Sequence, residues 1–414
     1  CKINSSPDLW TYTVLIMACA RGRQWQRAMQ LFEVMQANGF SPQRVTYDML
    51  LNALAKGGQW QTALSLLDEM EASAVSADAC AYTCAIVACS KEGRWLEADS
   101  LMSRMARRGI VPGLNAHNAC AHAHAVAGRW GDTLRIFNEV HTSTEMQLDR
   151  IAFNTMLFAL SKARGAVRVS LVDYILSRME GLSVPVGFDT LQFLIILYSR
   201  AGHWQDAKGV LEQMKIMGYI PRLRDFNAVV SACANTGMWM EAWSVLEHMT
   251  DCGVQPDTVT YNSLIYACGR AKQLSTGLRM LSNMEARGLQ PDIYTYNTLI
   301  YTCAAVGDLE EALRLFQQMM TAAENQVLNT QRDQSSGVLA PDIITFNTLI
   351  SACLPRRRWD TAVNLLKHMQ EECGINSDCC TYMMLATISL HADEIERAVA
   401  IIDMMNNVGI EVDA

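Results

Sequence analysis

Asn227, Asn262 and Asn297 stand 35 residues apart, aspartates close the same intervals at Asp257 and Asp292, and basic side chains at Arg21, Lys56 and Lys91 keep that spacing. Amide, carboxylate and cationic groups repeated on one period offer hydrogen bonds and charge. They do not assemble a nucleophile. The chain has fourteen cysteines, but no two are spaced Cys-x-x-Cys, so the usual zinc signatures are missing. Six of them, Cys19, Cys89, Cys233, Cys268, Cys303 and Cys353, hold the same place in different intervals. They are expected to be small buried hydrophobes in a reducing compartment. His117, His122 and His124 come closest to a ligand cluster. They lie within one helix without a cysteine or carboxylate at metalloprotease spacing, and are expected in the core or on the surface. A zinc deaminase needs His-x-Glu followed by Cys-x-x-Cys, which is absent, and no sequence is left over for the aspartate cluster of a metal nuclease. The expectation is a chain that is not an enzyme and takes no metal or cofactor.

The period says what positions these groups. Pro221, Pro256 and Pro291 recur at 35 residues, as do Met214, Met249, Met284 and Met319, and a fixed period of this size marks a solenoid. In the unit 258–292, Tyr261, Leu264, Ile265 and Cys268 fall at i, i+3, i+4 and i+7, which predicts a first helix, helix A, from near Val259. Leu274, Leu278, Leu281 and Met284 form the stripe of a second, helix B, and Gly288 supplies a left-handed stop. Pro291 cannot continue a helix, and Asp292 caps the next helix A. Two short helices cannot bury their stripes alone, so units must stack. Trp25, Trp60, Trp95, Trp130, Trp204 and Trp239 open successive B helices and are expected to pack between units.

This register gives a single array of eleven repeats: 9–43, 44–78, 79–113, 114–149, 150–187, 188–222, 223–257, 258–292, 293–342, 343–378 and 379–413. They are repeats 1 to 11. Residues 1–8 end in Pro7-Asp8, the close of a further unit, so the array is expected to continue N-terminally, with any targeting peptide upstream. Repeat 5 is three residues longer than the period, with the surplus expected in the Gly165–Ser170 turn. Repeat 9 carries 15 extra residues, and 321–340 is expected to loop out after helix B; repeats 4 and 10 carry one extra residue each. Hydrophobic content of 50% against 18% charged residues argues for order. No apolar run reaches the roughly 18 residues of a membrane span, so a soluble protein is expected. A net charge of −8 and a pI near 5.5 disfavour nucleic acid on a global count. Local distribution decides.

A helix pair every 35 residues, opened by Thr-Tyr-Asn-x-Leu-Ile and closed by Met-x-x-x-Gly-x-x-Pro-Asp, resembles the pentatricopeptide repeat family over residues 9–413, most closely over 223–378. The tetratricopeptide pattern expects 34 residues and a Trp-x-x-Leu-Gly-x-x-Tyr opening, and Tyr261–Cys268 shows none of it. The resemblance implies an all-α, right-handed α-solenoid of stacked helix-turn-helix repeats. It also implies a binder of single-stranded RNA, one base per repeat, that matures, stabilises, splices or helps translate transcripts in a chloroplast or a mitochondrion.

By the same resemblance, the residue after the helix A aromatic reads a base together with the last residue of its unit. Those pairs are Asn118 with Asp149, Asn227 with Asp257, Asn262 with Asp292, Asn297 with Asp342, and Asn347 with Asp378. The pair implies uracil, so repeats 7 to 10 would read four in a row. Thr13 with Gln43, Asp48 with Asp78 and Thr83 with Gly113 lean toward purine, and Asn154 with Gly187 toward pyrimidine. Gln192 with Arg222 and Met383 with Asp413 do not translate. The second residue of a unit wedges bases, here Val45, Ile151, Val259, Tyr294 and Ile344, joined by Trp10; Asn115, Asp189 and Arg224 depart from that set. Near the end of helix A, on the face that carries the asparagine, Arg21, Lys56, Lys91, Lys162, Arg200 and Arg270 fill six of eleven equivalent places, and no acid fills any. Such a ridge suits a phosphate backbone. A scaffold for protein partners is the alternative, and a peptide binder has no reason to repeat the Asn/Asp pairs.

Overall fold

The computed structural model describes residues 8–73, 75–143, 146–165, 169–329, 339–391 and 401, and among them the chain forms twenty-one α-helices and no strand. Helix A of repeat 8 is Thr258–Arg270 and its helix B is Leu274–Ala286. The pair recurs from Leu9–Arg21 and Trp25–Ala37 in repeat 1 to Ile343–Cys353 and Trp359–Lys367 in repeat 10, and Cys379–His391 is helix A of repeat 11. Asp413 lies outside the described residues. Helix A starts because an aspartate at the end of the preceding repeat is extended and accepts a first-turn backbone N–H, as at Asp78, Asp149, Asp257, Asp292 and Asp342. Helix B of repeat 8 stops at Gly288, where φ is +76° and the Leu289 N–H returns 3.1 Å to the Met284 carbonyl.

Contacts group the chain into two compact units, Cys1–Ala201 and Gly202–Ala414. In each, A helices stack directly on one another, and a helix B lies against its own helix A and the next one. The seams are apolar. In the first unit one buried cluster runs through Tyr12, Phe32, Tyr47, Met70, Tyr82, Met105 and Cys120 without a break. The methionine near the end of helix B, from Met35 to Met284 and Met319, is fully buried, and each such side chain contributes about 1.5–3 kcal/mol. Five of the six aligned cysteines are buried and Cys19 is half-buried. Burial pushes the thiols of Cys89, Cys233, Cys268 and Cys353 up to about 11 and that of Cys303 up to about 12, so they pack as neutral hydrophobes. No described helix is long and apolar enough to cross a membrane.

Irregular repeats absorb their extra residues without disturbing the pairs. In repeat 5 helix B begins late, at Val169, so Ser170 is already helical; Gly165 belongs to the turn, and residues 166–168 lie outside the described set. In repeat 10 the single extra residue becomes a π-turn at His368–Glu372, where the Cys373 N–H bonds the His368 carbonyl at 3.1 Å. In repeat 9 the loop expected at 321–340 is corrected over 321–329, and 330–338 lie outside the described residues. Helix B instead runs on through Leu309–Asn329, because 318–329 contains neither glycine nor proline and is rich in helix formers. Leu339 then packs back against Tyr296 and Met319.

Trp25, Trp60 and Trp95 of the tryptophan ladder pack between repeats, as expected. Arg94 of repeat 3 lies 4.2 Å over the Trp60 ring of repeat 2, and Arg129 of repeat 4 lies 3.7 Å over Trp95 of repeat 3. Trp25 covers Gly57 of the next repeat so closely that a Cβ there would stand 2.8 Å from the indole. Alanine ordinarily strengthens a helix over glycine by about 1 kcal/mol, but overpacking costs about 1–3 kcal/mol. Gly57→Ala is therefore expected to lower the melting temperature of the wild type and to raise it in a Trp25→Ala background, read by circular dichroism. A gain in both backgrounds removes Trp25 from the seam.

Candidate nucleic-acid interface

The asparagines and aspartates singled out in the sequence meet in space. Each Asn amide donates from Nδ2 to the carboxylate that closes its own repeat: Asn118 to Asp149 at 3.3 Å, Asn227 to Asp257 at 3.1 Å, Asn262 to Asp292 at 3.0 Å, Asn297 to Asp342 at 3.1 Å and Asn347 to Asp378 at 3.3 Å. The insertion in repeat 9 leaves its pair in place. In the same position as these asparagines, Asp48 of repeat 2 has its carboxyl raised by burial and by the nearby Asp78, while Arg44 pulls it down.

A third residue completes the set, and sequence reading passed over it. The threonine three places after the aspartate donates its hydroxyl to the asparagine Oδ1 of the preceding repeat: Thr260 to Asn227, Thr295 to Asn262, Thr345 to Asn297 and Thr381 to Asn347, at 2.5–2.6 Å. All four threonines are fully buried. Their recurrence at the third place of the repeat was the available signal.

The residues expected to wedge bases are exposed although apolar. Trp10, Val45, Ile151, Val259, Tyr294 and Ile344 are between 49% and 73% exposed, so a large apolar group faces water at the same place in six repeats. In the second unit the elements converge. A groove of about 610 Å³ is lined by Tyr294, Ile344 and Asn297 together with Arg270, Tyr266 and Tyr301. A second of about 450 Å³ continues past Ile344 to Asn347. Wedge, asparagine and ridge cation thus share one surface.

The six ridge cations are all exposed. Two of them also do structural work. Lys91 Nζ donates to the Lys56 carbonyl, and Arg200 donates to the carbonyls of Ser161 and Ala163, so each covers the carbonyl end of the preceding helix A. Cations favour that end and acids avoid it, a reason for the missing acids that the sequence reading did not weigh.

Profiles of the PPR repeat family match residues 7–56, 226–270, 256–305 and 341–387, and those of the PPR repeat match 45–74, 80–110, 190–219 and 294–322, together more than half of the chain. The chain belongs to the pentatricopeptide repeat (PPR) family. No curated protein sequence matches it. Among solved structures it is similar to the PPR protein PPR10 from maize, with a TM-score of 0.65 and 20% identity over 97% of this chain and 59% of that one. It is also similar to PPR10 in complex with an 18-nt psaJ RNA element, with a TM-score of 0.59 and 20% identity over 97% of this chain and 60% of that one. At that identity the likeness is one of fold. The chain spans about three fifths of the length of these PPR10 chains.

One cluster lies away from the Asn/Asp pairs. His124, expected in the core or on the surface, is buried; its Nε2 is 3.0 Å from Asp99 Oδ1, and the Cys120 thiol donates to the same oxygen at 3.3 Å. Cys120 is one turn earlier on the same PPR helix A, and Asp99 comes from the helix B before it. Burial, helped by Asp99, pushes the Cys120 thiol up, and no group among the described residues meets His124 Nδ1. A metal-bound imidazole anchors its second nitrogen, so this is a packed hydrogen-bonded cluster. His122 stacks on Phe158 at 5.5 Å, and the half-buried His117 bonds the Gly113 carbonyl at 3.1 Å.

The capping carboxylates have a pH signature. For Asp257, burial works to raise the pKa, but the hydrogen bonds it accepts, from the Thr260 N–H first and from the Asn227 amide, outweigh it, so the group titrates below the usual carboxylate range; Asp378 follows the same balance with Thr381 and Asn347. A folded pKa below the unfolded one gives stability that is complete above about pH 4 and is lost as pH falls through the folded value. Asp257→Ala should therefore cost about 1 kcal/mol at pH 7 and much less near pH 2, when melts of the two proteins are compared. An undiminished difference in acid would show that the carboxylate charge is not what caps this PPR helix.

Proposed function

We propose that this PPR chain binds single-stranded RNA, one base per repeat, and that repeats 7 to 10 read four consecutive uracils through Asn227, Asn262, Asn297 and Asn347. The observation that carries the reading is the groove lined by Asn297, held by Asp342 and Thr345, by exposed Tyr294 and Ile344, and by Arg270. Such a slot suits a base that has left its stack: apolar groups cover its faces, an amide meets its Watson–Crick edge, and a cation stands near its phosphate. The likeness to PPR10, whose complex holds an 18-nt RNA element, supports the same class of ligand. The family suggests a transcript in a chloroplast or mitochondrion, whose processing, stability, splicing or translation the protein would serve. The role is binding, without catalysis or cofactor.

Two measurements test this. Against an oligonucleotide with uracil at places seven to ten, replacing the uracil at place eight by adenine should weaken binding about tenfold, and Asn262→Ala should erase that difference. Equal affinity of the wild type for both RNAs would return Asn262 to a helix-start residue. Affinity should also fall with salt at about 0.7 of a log unit per decade for each neutralised phosphate. The Arg21, Lys56 and Arg270 triple change to glutamine should flatten the slope by about 2; an unchanged slope removes them from the phosphate path.

A further inference from the structure

The asparagines in the reading position are not all held alike, and the difference follows one residue in the next repeat. Where that repeat has a threonine at its third place, the amide oxygen accepts its hydroxyl proton: Asn154 from Thr190 at 2.7 Å, and Asn227, Asn262, Asn297 and Asn347 as above. Where the third place is alanine the oxygen is orphaned. Asn118 is followed by Ala152, and its buried Oδ1 meets no donor; Asp48 is followed by Ala81, and its Oδ1 is also buried without a partner. The Asn/Asp pair alone therefore does not describe the site.

We propose that the buried threonine at the third place orients the amide of the preceding repeat, and so sets how strictly that repeat separates uracil from cytosine. This rests on the asparagine being the base-facing group. A carboxylate can only accept, so the atom facing Asp292 must be Nδ2, and the Thr295 proton then holds Oδ1 on the other side. The Thr295 oxygen takes the Asp292 N–H at 3.1 Å, and of the two acceptors within reach of its single proton, Asn262 Oδ1 at 2.5 Å lies closer than Asp292 Oδ1 at 2.9 Å. Turning the amide over sets its NH2 against the threonine and its oxygen against the carboxylate, leaving a buried acceptor facing an acceptor. With both ends held, one N–H and one lone pair remain for a base, in a fixed order. The two pyrimidines differ in that order: N3 is a donor in uracil and an acceptor in cytosine, and the neighbouring group at C4 is the reverse. A fixed amide matches one of them. Asn118 lacks the threonine anchor, and its amide keeps more freedom to turn and match either. Repeats 7 to 10 are then strict and repeat 4 permissive, although all five carry the same Asn/Asp pair.

The test compares dissociation constants for oligonucleotides that differ by uracil or cytosine at one place, for the whole chain. Thr295→Val keeps the shape and removes the hydroxyl; it is expected to cut the uracil preference at place eight about tenfold and to leave place ten unchanged. Ala152→Thr adds the anchor to repeat 4 without removing anything, and is expected to raise the uracil preference at place four. A melting temperature unaffected by Ala152→Thr keeps this arm informative even if Thr295→Val loosens the fold. If the wild type prefers uracil at place eight and Thr295→Val preserves the ratio, or weakens both RNAs equally, the threonine is a capping residue and the inference fails while the base-reading proposal stands. If the wild type does not distinguish the pyrimidines at place eight, the base-reading proposal fails first and the inference with it.

Discussion

A single carboxylate at each well-formed seam joins one repeat to the next. Asp257 ends repeat 7 in sequence and begins helix A of repeat 8 in space, accepting the Thr260 N–H at 2.9 Å and the Asn227 amide at 3.1 Å. A helix needs an acceptor at its start because its first N–H groups have no partner inside it. Here that need also places a side chain of the neighbouring repeat. The groove surface and the helix stack therefore share their anchors, and neither forms well without the other.

Work is divided between the two layers. The B helices carry the methionine and tryptophan packing that closes each seam, and the A helices carry both a buried apolar stripe and the polar row of asparagine, threonine and cation. A net charge of −8 is compatible with this because the cations are gathered where helix carbonyl ends favour them. A global sum cannot register that placement.

Much was legible in the sequence because a period repeats its own message. Tyr261, Leu264 and Cys268 needed only helical spacing to be assigned to the core, and Asn262 and Asp292, 30 residues apart, were brought together by the resemblance before the structure joined them. Thr295 was missed because a threonine at that place is accounted for by helix capping, and its second bond, to the previous repeat, leaves no mark in a single sequence. Lys91 and Arg200 were read for their charge alone, since spacing does not reveal which carbonyl a long side chain reaches. His124 was set aside on spacing that suits metalloproteases, while the one-turn spacing from Cys120 went unused. At 321–329 the polar composition suggested a loop, and uninterrupted helix propensity prevailed.

Asn297 and Asp342 stand 45 residues apart in sequence, yet they meet at the same 3.1 Å as Asn227 and Asp257, which are 30 apart. A ligand laid along this surface meets a ruler graduated in helix pairs, with no way of sensing how much chain lies between the marks. The stretch between helix B and the next cap is thus a place where this protein can lengthen, or accept a foreign segment, without losing count.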